Sequence, residues 1–317
     1  MMQRFWPYLR VLVGGGILVA LGVRLGTDAV VDGLRAIETG SVLAALGIGL
    51  LTTVFSAWRW CLVARGLGLR LPLGAAVADC YRALLLNSVL PAGVLGDVHR
   101  AVSHGQQVGD VGRGVRAVVL ERVAGNVVLI VVGVVVLLAQ PTLLAAAAGD
   151  LIPGRGVVLG TLAVLAVVAL GVATMPGSLP SRIRTALRTG LADARTVLSR
   201  GVWPGVVLLS VATLAGYLAL FVVAARAAGS EATLGELLPL LVLALLAMGL
   251  PVNIGGWGPR EAVATVAFGT VGFGATQGLT AAVVYGVLSL IACLPGVGVL
   301  LWRWPGRRPP ATSVVAC

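Results

Sequence analysis

Two stretches of this chain carry the residues best suited to chemistry. Leu90-Pro-Ala-Gly-Val-Leu-Gly-Asp-Val-His-Arg100 and Leu250-Pro-Val-Asn-Ile-Gly-Gly-Trp-Gly-Pro-Arg260 share Leu-Pro, a glycine five residues after the proline and an arginine nine after it, 160 residues apart. An arginine fork beside a helix N-terminus makes an anion site, because free N–H groups and partial positive charge converge there. In the second stretch Gly258 reads as an N-cap and Pro259 as the first helical residue, which puts Arg260 and Glu261 in the first turn. In the first, Asp97 reads as the N-cap of a short helix holding His99 and Arg100. Gly96 and Gly256 allow close backbone approach, and Asn87 and Asn253 could bond freed backbone groups or ligand oxygens. Glu121-Arg122-Val-Ala-Gly125-Asn126 is a third charged island, either a gate or a structural ion pair. Asp79 and Arg82, at i and i+3, read as a neutralising pair. Trp58 and Trp60 read as interface anchors around Arg59, and Trp257 as a packing or interface residue.

Composition sets the medium in which these groups must work. Hydrophobic residues are 58% of the chain and charged ones 11%, against roughly 25% charged in a soluble domain. This is an integral membrane protein. The chain has no lysine, so all 23 basic residues are arginine. They fall mainly in short loops between apolar runs rather than on one basic face, which argues against a nucleic-acid partner. Four scattered cysteines and two histidines have no metal-ligand spacing, so no metal, cofactor or disulfide framework is expected. The apolar run that follows Arg4 and Arg10 reads as a retained first helix rather than a cleaved signal.

Apolar segments lie at 8–26, 42–64, 74–90, 115–139, 157–175, 203–225, 236–250 and 278–302. Six can cross a core of about 30 Å. The third and seventh are short and end at Leu-Pro, so they read as re-entrant arms, each followed by a second short arm near 97–104 and 259–270. With a cytoplasmic N-terminus and both broken segments re-entrant, the arginine-rich loops at 65–70, 113–116, 182–200 and 303–308 all fall on the cytoplasmic side. Three crossings per half then invert the second half, 157–302, relative to the first, 8–139. The expected fold is an all-α polytopic membrane protein with about six transmembrane helices and two re-entrant broken helices in an inverted repeat. Residues 1–303 form its single domain, and 304–317 a short Pro/Arg-rich cytoplasmic tail.

Asn87 with Leu90-Pro91, Gly96-Asp97-Val-His-Arg100, Glu121-Arg122 with Gly125, and Leu250 to Glu261 together resemble the lysylphosphatidylglycerol synthase transmembrane, or flippase-like, family over residues 10–303. The resemblance implies a lipid translocase-like fold with re-entrant segments lining a central cavity. Leu95, Gly255 and Pro259 depart from the residues common in that family, so head-group specificity does not carry over. The soluble aminoacyl-transferase domain of some relatives has no counterpart after Trp304, so lysyl transfer by this chain is not expected.

The expected function is translocation, without enzyme chemistry, of an anionic phospholipid or lipid-linked phosphate across the cytoplasmic membrane through a midplane cavity. Arg100 and Arg260 would pair with phosphate, and Asp97 and Glu261 would orient them or bind a cationic part of the lipid. A membrane lipid-phosphate transferase is the rival from another class, although no DxxD or DxD cluster is present to hold Mg²⁺. A non-transporting accessory subunit of an envelope pathway is the third reading. Homo-oligomerisation and an envelope-biosynthesis partner both stay open.

Overall fold

The computed structural model describes residues 31, 33, 35, 37–89, 94–139, 181–249 and 257–302. Two of the expected spans (8–26 and 157–175), the tail at 304–317, and Pro91, Asn253 and Gly256 lie outside them. Ten α-helices are described in chain order: α1 Thr39–Gly66, α2 Leu73–Val89, α3 Leu95–Gln107, α4 Val111–Leu138, α5 Ser181–Ser199, α6 Trp203–Ala227, α7 Leu234–Met248, α8 Pro259–Val271, α9 Ala275–Cys293 and α10 Pro295–Trp302. Four candidate spans fall among the described residues: α1, Val111–Val136 of α4, α6, and the joined run Ala275–Leu301 of α9 and α10. At 1.5 Å per residue, each is longer than a hydrocarbon core of about 30 Å. The chain is therefore an all-helical, multi-pass membrane protein among its described residues.

Helices α2 and α7, at 17 and 15 residues, stop just before the two Leu-Pro breaks. A 13-residue helix follows each break, α3 at Leu95–Gln107 and α8 at Pro259–Val271. Second arms were expected at these places. At roughly 20–25 Å, none of these arms spans the core alone. Local chemistry fixes their ends. The Thr233 backbone N–H donates to Glu236 Oε2 (2.8 Å) at the start of α7. Gly258, at φ 108°, takes the left-handed backbone that precedes α8, and its N–H donates to Glu261 Oε2 (2.6 Å). Pro259 occupies the first helical position, where its missing N–H costs nothing.

The first break resolves differently from the sequence expectation. Helix α3 begins at Leu95 after Val94, so Asp97 lies in its first turn and is not the N-cap. The free Gly96 N–H instead donates to Asn87 Oδ1 (2.8 Å), a cap delivered from the neighbouring α2. Helices α2 and α3 touch backbone to backbone here. A Cβ added to Gly96 would lie 2.2 Å from the Ala83 carbonyl oxygen, whereas one added to Gly74, earlier in α2, would meet nothing within 4 Å. Gly96→Ala is accordingly expected to destabilise the protein by about 1–3 kcal/mol, with Gly74→Ala near neutral, as read from thermal melting in detergent.

The two long helices at the centre, α1 and α6, run antiparallel. A Cβ on Gly205 would touch Leu62 and one on Gly216 would touch Thr52, while Arg59 bonds Ser210 between them. Helix α1 also packs on α9, and α6 on α4; α2 packs on α9, and α7 on α4. Within each half the arms pack on each other and then on the following long helix, α3 on α4 and α8 on α9. Both of these last pairs approach closely at a glycine. A Cβ on Gly114 of α4 would lie 2.9 Å from the Ala101 carbonyl of α3, and one on Gly278 of α9 would lie 2.4 Å from the Ala264 carbonyl of α8.

Candidate functional site

A buried ion network occupies the first half. Glu121 of α4 is wholly buried, a position no carboxylate tolerates at membrane depth without partners. Its Oε1 accepts from Arg59 Nε of α1 (3.0 Å) and again from Arg59 Nη2, with Ser56 Oγ at 3.3 Å. Its Oε2 accepts from Arg100 Nη2 of α3 (2.7 Å). The Arg100 guanidinium is filled on every side. Nε donates to Asp97 Oδ1 (2.9 Å), Nη1 lies 3.4 Å from Cys80 Sγ, and the Trp60 ring covers its face at 4.7 Å. Arg59 Nη1 reaches Ser210 of α6 at 3.2 Å, so one carboxylate ties together α1, α3, α4 and α6.

Asp97 is the hinge between this network and open space. It accepts from Arg100 and from Arg122 Nη2 (2.7 Å) on Oδ1, and from Asn87 Nδ2 (3.0 Å) on Oδ2. Arg122 is the cation of this group that stays accessible, with 41% of its side chain exposed against 2% for Arg100. Neighbours on a helix point about 100° apart, and this pair divides accordingly: Glu121 faces the protein and Arg122 faces the cavity.

In the second half Arg260 and Glu261 are both buried, and Arg260 Nε donates to Glu261 Oε1 (3.0 Å). Two rings flank the guanidinium carbon, Trp257 at 5.1 Å and Tyr285 of α9 at 5.0 Å. Tyr285 is itself held by stacking on Phe221 of α6, 4.4 Å between centroids. Space for this sandwich comes from Gly286, where a Cβ would lie 2.5 Å from the Trp257 ring and 2.7 Å from Arg260 Nη2. Gly286→Val should therefore push Trp257 or Arg260 from place. The expected loss is about 1–3 kcal/mol in a detergent thermal melt.

Both halves face one cavity of about 760 Å³. Asn87, Asp97, Arg122 and Asn126 line it from the first half, and Tyr217, Trp257, Arg260 and Tyr285 from the second, with Val, Leu and Ile side chains between. Arg100, Glu121, Glu261 and Gly96 stand behind its wall. Of the ten residues predicted from sequence, eight are described, and they fall into these two clusters. Asn253 and Gly256 lie outside the described residues.

Sequence reasoning missed Arg59 and Trp60. Trp58 is 44% exposed, as an interface anchor should be, but Trp60 is fully buried and Arg59 nearly so. The available signal was an arginine within an otherwise apolar span, which demands a distant carboxylate. Asp79 and Arg82 do pair, with Arg82 Nη2 donating to Asp79 Oδ1 at 2.9 Å. Among the described residues, no cluster of three His, Cys, Asp or Glu could hold a metal ion.

A family model described as the lysylphosphatidylglycerol synthase TM region matches residues 8–296. The chain belongs to that family. The match covers the whole described bundle apart from the end of α10, and with it both arginine clusters and the cavity. No curated protein sequence matches the chain. In this member of the family the Leu-Pro breaks are each followed by an arginine fixed by a carboxylate and an aromatic ring.

Proposed function

We propose that this protein translocates an amphipathic anionic lipid, with the head-group phosphate held in the central cavity and no covalent step. One observation carries the reading: a single cavity has Arg122 from one half and Arg260 from the other on its wall, between apolar side chains. A phosphate between two guanidinium groups gains charge-assisted hydrogen bonds, and the apolar wall suits acyl or prenyl carbon. Arg100 acts as a positioning residue, since it does not line the cavity and its Nε and Nη2 donate to Asp97 and Glu121.

Alternating access follows from an inverted repeat, in which α1 to α4 correspond to α6 to α9. The antiparallel α1 and α6, the exchange of helix contacts between halves and the matched Gly114–Ala101 and Gly278–Ala264 approaches support that layout. Re-entry of the first arm pair is supported by one apolar cluster that joins Ala64 near the end of α1, Ala76 early in α2, Ala101 in α3 and Ala117 early in α4. Broken helices meeting at such a repeat interface are where secondary transporters bind substrate. On this reading the arginine-rich end of the bundle and both chain termini are cytoplasmic.

The test is reconstitution of the purified chain into vesicles carrying a head-group-labelled anionic lipid in the inner leaflet, followed with a membrane-impermeant quencher. Faster loss of signal than in empty vesicles is expected, with a zwitterionic lipid moved more slowly. Equal rates in loaded and empty vesicles would overturn the proposal. New lipid product formed with Mg²⁺ would transfer the assignment to an enzyme.

A further inference from the structure

The segment 182–200, read from sequence only as a cytoplasmic loop, contains α5, a 19-residue helix that does not belong to the spans or to the cavity. One flank of it is docked on the bundle. Val197 is buried in a cluster with Val63 of α1 and Val206 of α6, Arg116 of α4 pairs with Asp193, and Arg200 Nη1 reaches the Arg65 carbonyl at 3.5 Å. These contacts fix α5 at the end of the bundle where α1 finishes and α4 and α6 begin.

The next flank is uncovered. Leu191 and Leu198, one heptad apart on the same face, are 56% and 58% exposed. Beyond them around the helix come Arg188 and Arg195, also a heptad apart and exposed. In a helix the angles from Val197 run to about 100–120° for the leucines and about 160–180° for the arginines. Docked stripe, bare leucine stripe and arginine stripe therefore follow one another in order.

We propose that α5 is a binding site for the anionic lipid surface, with Leu191 and Leu198 seated in the head-group and acyl boundary and Arg188 and Arg195 on lipid phosphates. Three observations favour this occupant. The helix leads, through a turn at Gly201 (φ 70°), directly into the span α6, whose first residue, Trp203, is 50% exposed at the end of that span, and tryptophan favours the ends of spans. Leucine beside arginine on one helix face is the pattern of interfacial helices. A second copy of the chain would bring the same arginine row against this one, with like charges opposed.

The test uses the full chain with Cys317→Ser and Leu191→Cys, the other three cysteines being buried, spin-labelled in nanodiscs of phosphatidylcholine with or without phosphatidylglycerol. Collisions with oxygen should exceed those with a water-soluble nickel chelate when phosphatidylglycerol is present. Amide exchange in α5 should then be slower by about tenfold or more, given the attraction of each arginine to an anionic surface. Arg188→Gln with Arg195→Gln should remove that dependence while leaving the rest of the bundle protected. A water-like collision ratio in both lipids would overturn the proposal, as would a ratio indifferent to phosphatidylglycerol. Spin–spin broadening between copies would overturn it in favour of a second chain on this face. A label at Leu198→Cys repeats the measurement from an independent position.

Discussion

Glu121→Ala is expected to prevent this protein from accumulating in folded form. The carboxylate is wholly buried and accepts from both Arg59 and Arg100, whose side chains are 6% and 2% exposed. Its removal leaves two guanidinium groups without their main counter-charge in a low-dielectric bundle. Breaking one buried ion pair by deleting a partner costs about 3–5 kcal/mol, and here two share the deleted group. Whole-domain stabilities are only about 5–15 kcal/mol. Polar partners recruited in the membrane-unfolded state lessen such penalties, and a series of variants isolates the contribution of the network. Glu121→Gln keeps the volume and one acceptor and should melt between wild type and alanine. Adding Arg100→Met to Glu121→Ala should restore part of the loss, because it removes one of the stranded charges. Fluorescence-detected size exclusion and thermal melting in one detergent read all four proteins. Wild-type melting of Glu121→Ala would show that the network carries no stability.

Much of the bundle was legible because membrane helices announce themselves by length and apolarity. The spans expected at 42–64, 115–139, 203–225 and 278–302 correspond to α1, α4, α6 and the α9–α10 run. Proline and glycine likewise marked both breaks, since they act on the backbone locally, and Gly258-Pro259-Arg260-Glu261 forms the helix start its residue types demand. Asp97 shows the limit of local reading. Its type suits an N-cap, but Asn87 from the packed α2 takes the Gly96 N–H, which leaves Asp97 to bind Arg100 and Arg122. Capping preference is worth about 1 kcal/mol, less than the cost of taking a carboxylate partner from the buried Arg100.

The site was legible as a set of residues and not as an arrangement. Arg100 and Arg260 occupy matching places after their breaks, and from sequence they look alike. The structure separates them by what faces each one. Arg100 meets Glu121 on α4, 21 residues on, whereas Arg260 meets the Tyr285 ring on α9, 25 residues on. Both are held by a carboxylate and covered by a ring, and what differs is that Arg260 lies on the cavity wall whereas Arg100 stands behind it. Likewise Arg59 is 62 residues from Glu121 in sequence, so no periodicity or short motif could have paired them.

Arg122 is the residue whose loss should most reduce lipid movement while sparing the fold. Its side chain is the most exposed of the arginines in the first cluster, it lines the cavity, and Asp97 keeps two other donors, Arg100 and Asn87, when it is gone. Hydrogen bonds to charged groups contribute about 1.5–3 kcal/mol, so Arg122→Gln should weaken retention of an anionic lipid by roughly ten- to a hundredfold. Thermal melting should change by less than about 1 kcal/mol, as for other partly exposed pairs. Arg122→Glu should go further, because it sets a second carboxylate against Asp97 and repels phosphate. Arg100→Gln makes the informative contrast. It removes a filled, buried strut, so melting should fall together with lipid retention. Mass spectrometry of co-purified lipid, read beside the melting curve of each variant, separates the two roles. If Arg122→Gln keeps its lipid while Arg100→Gln loses lipid with no change in melting, the assignment of strut and ligand is reversed.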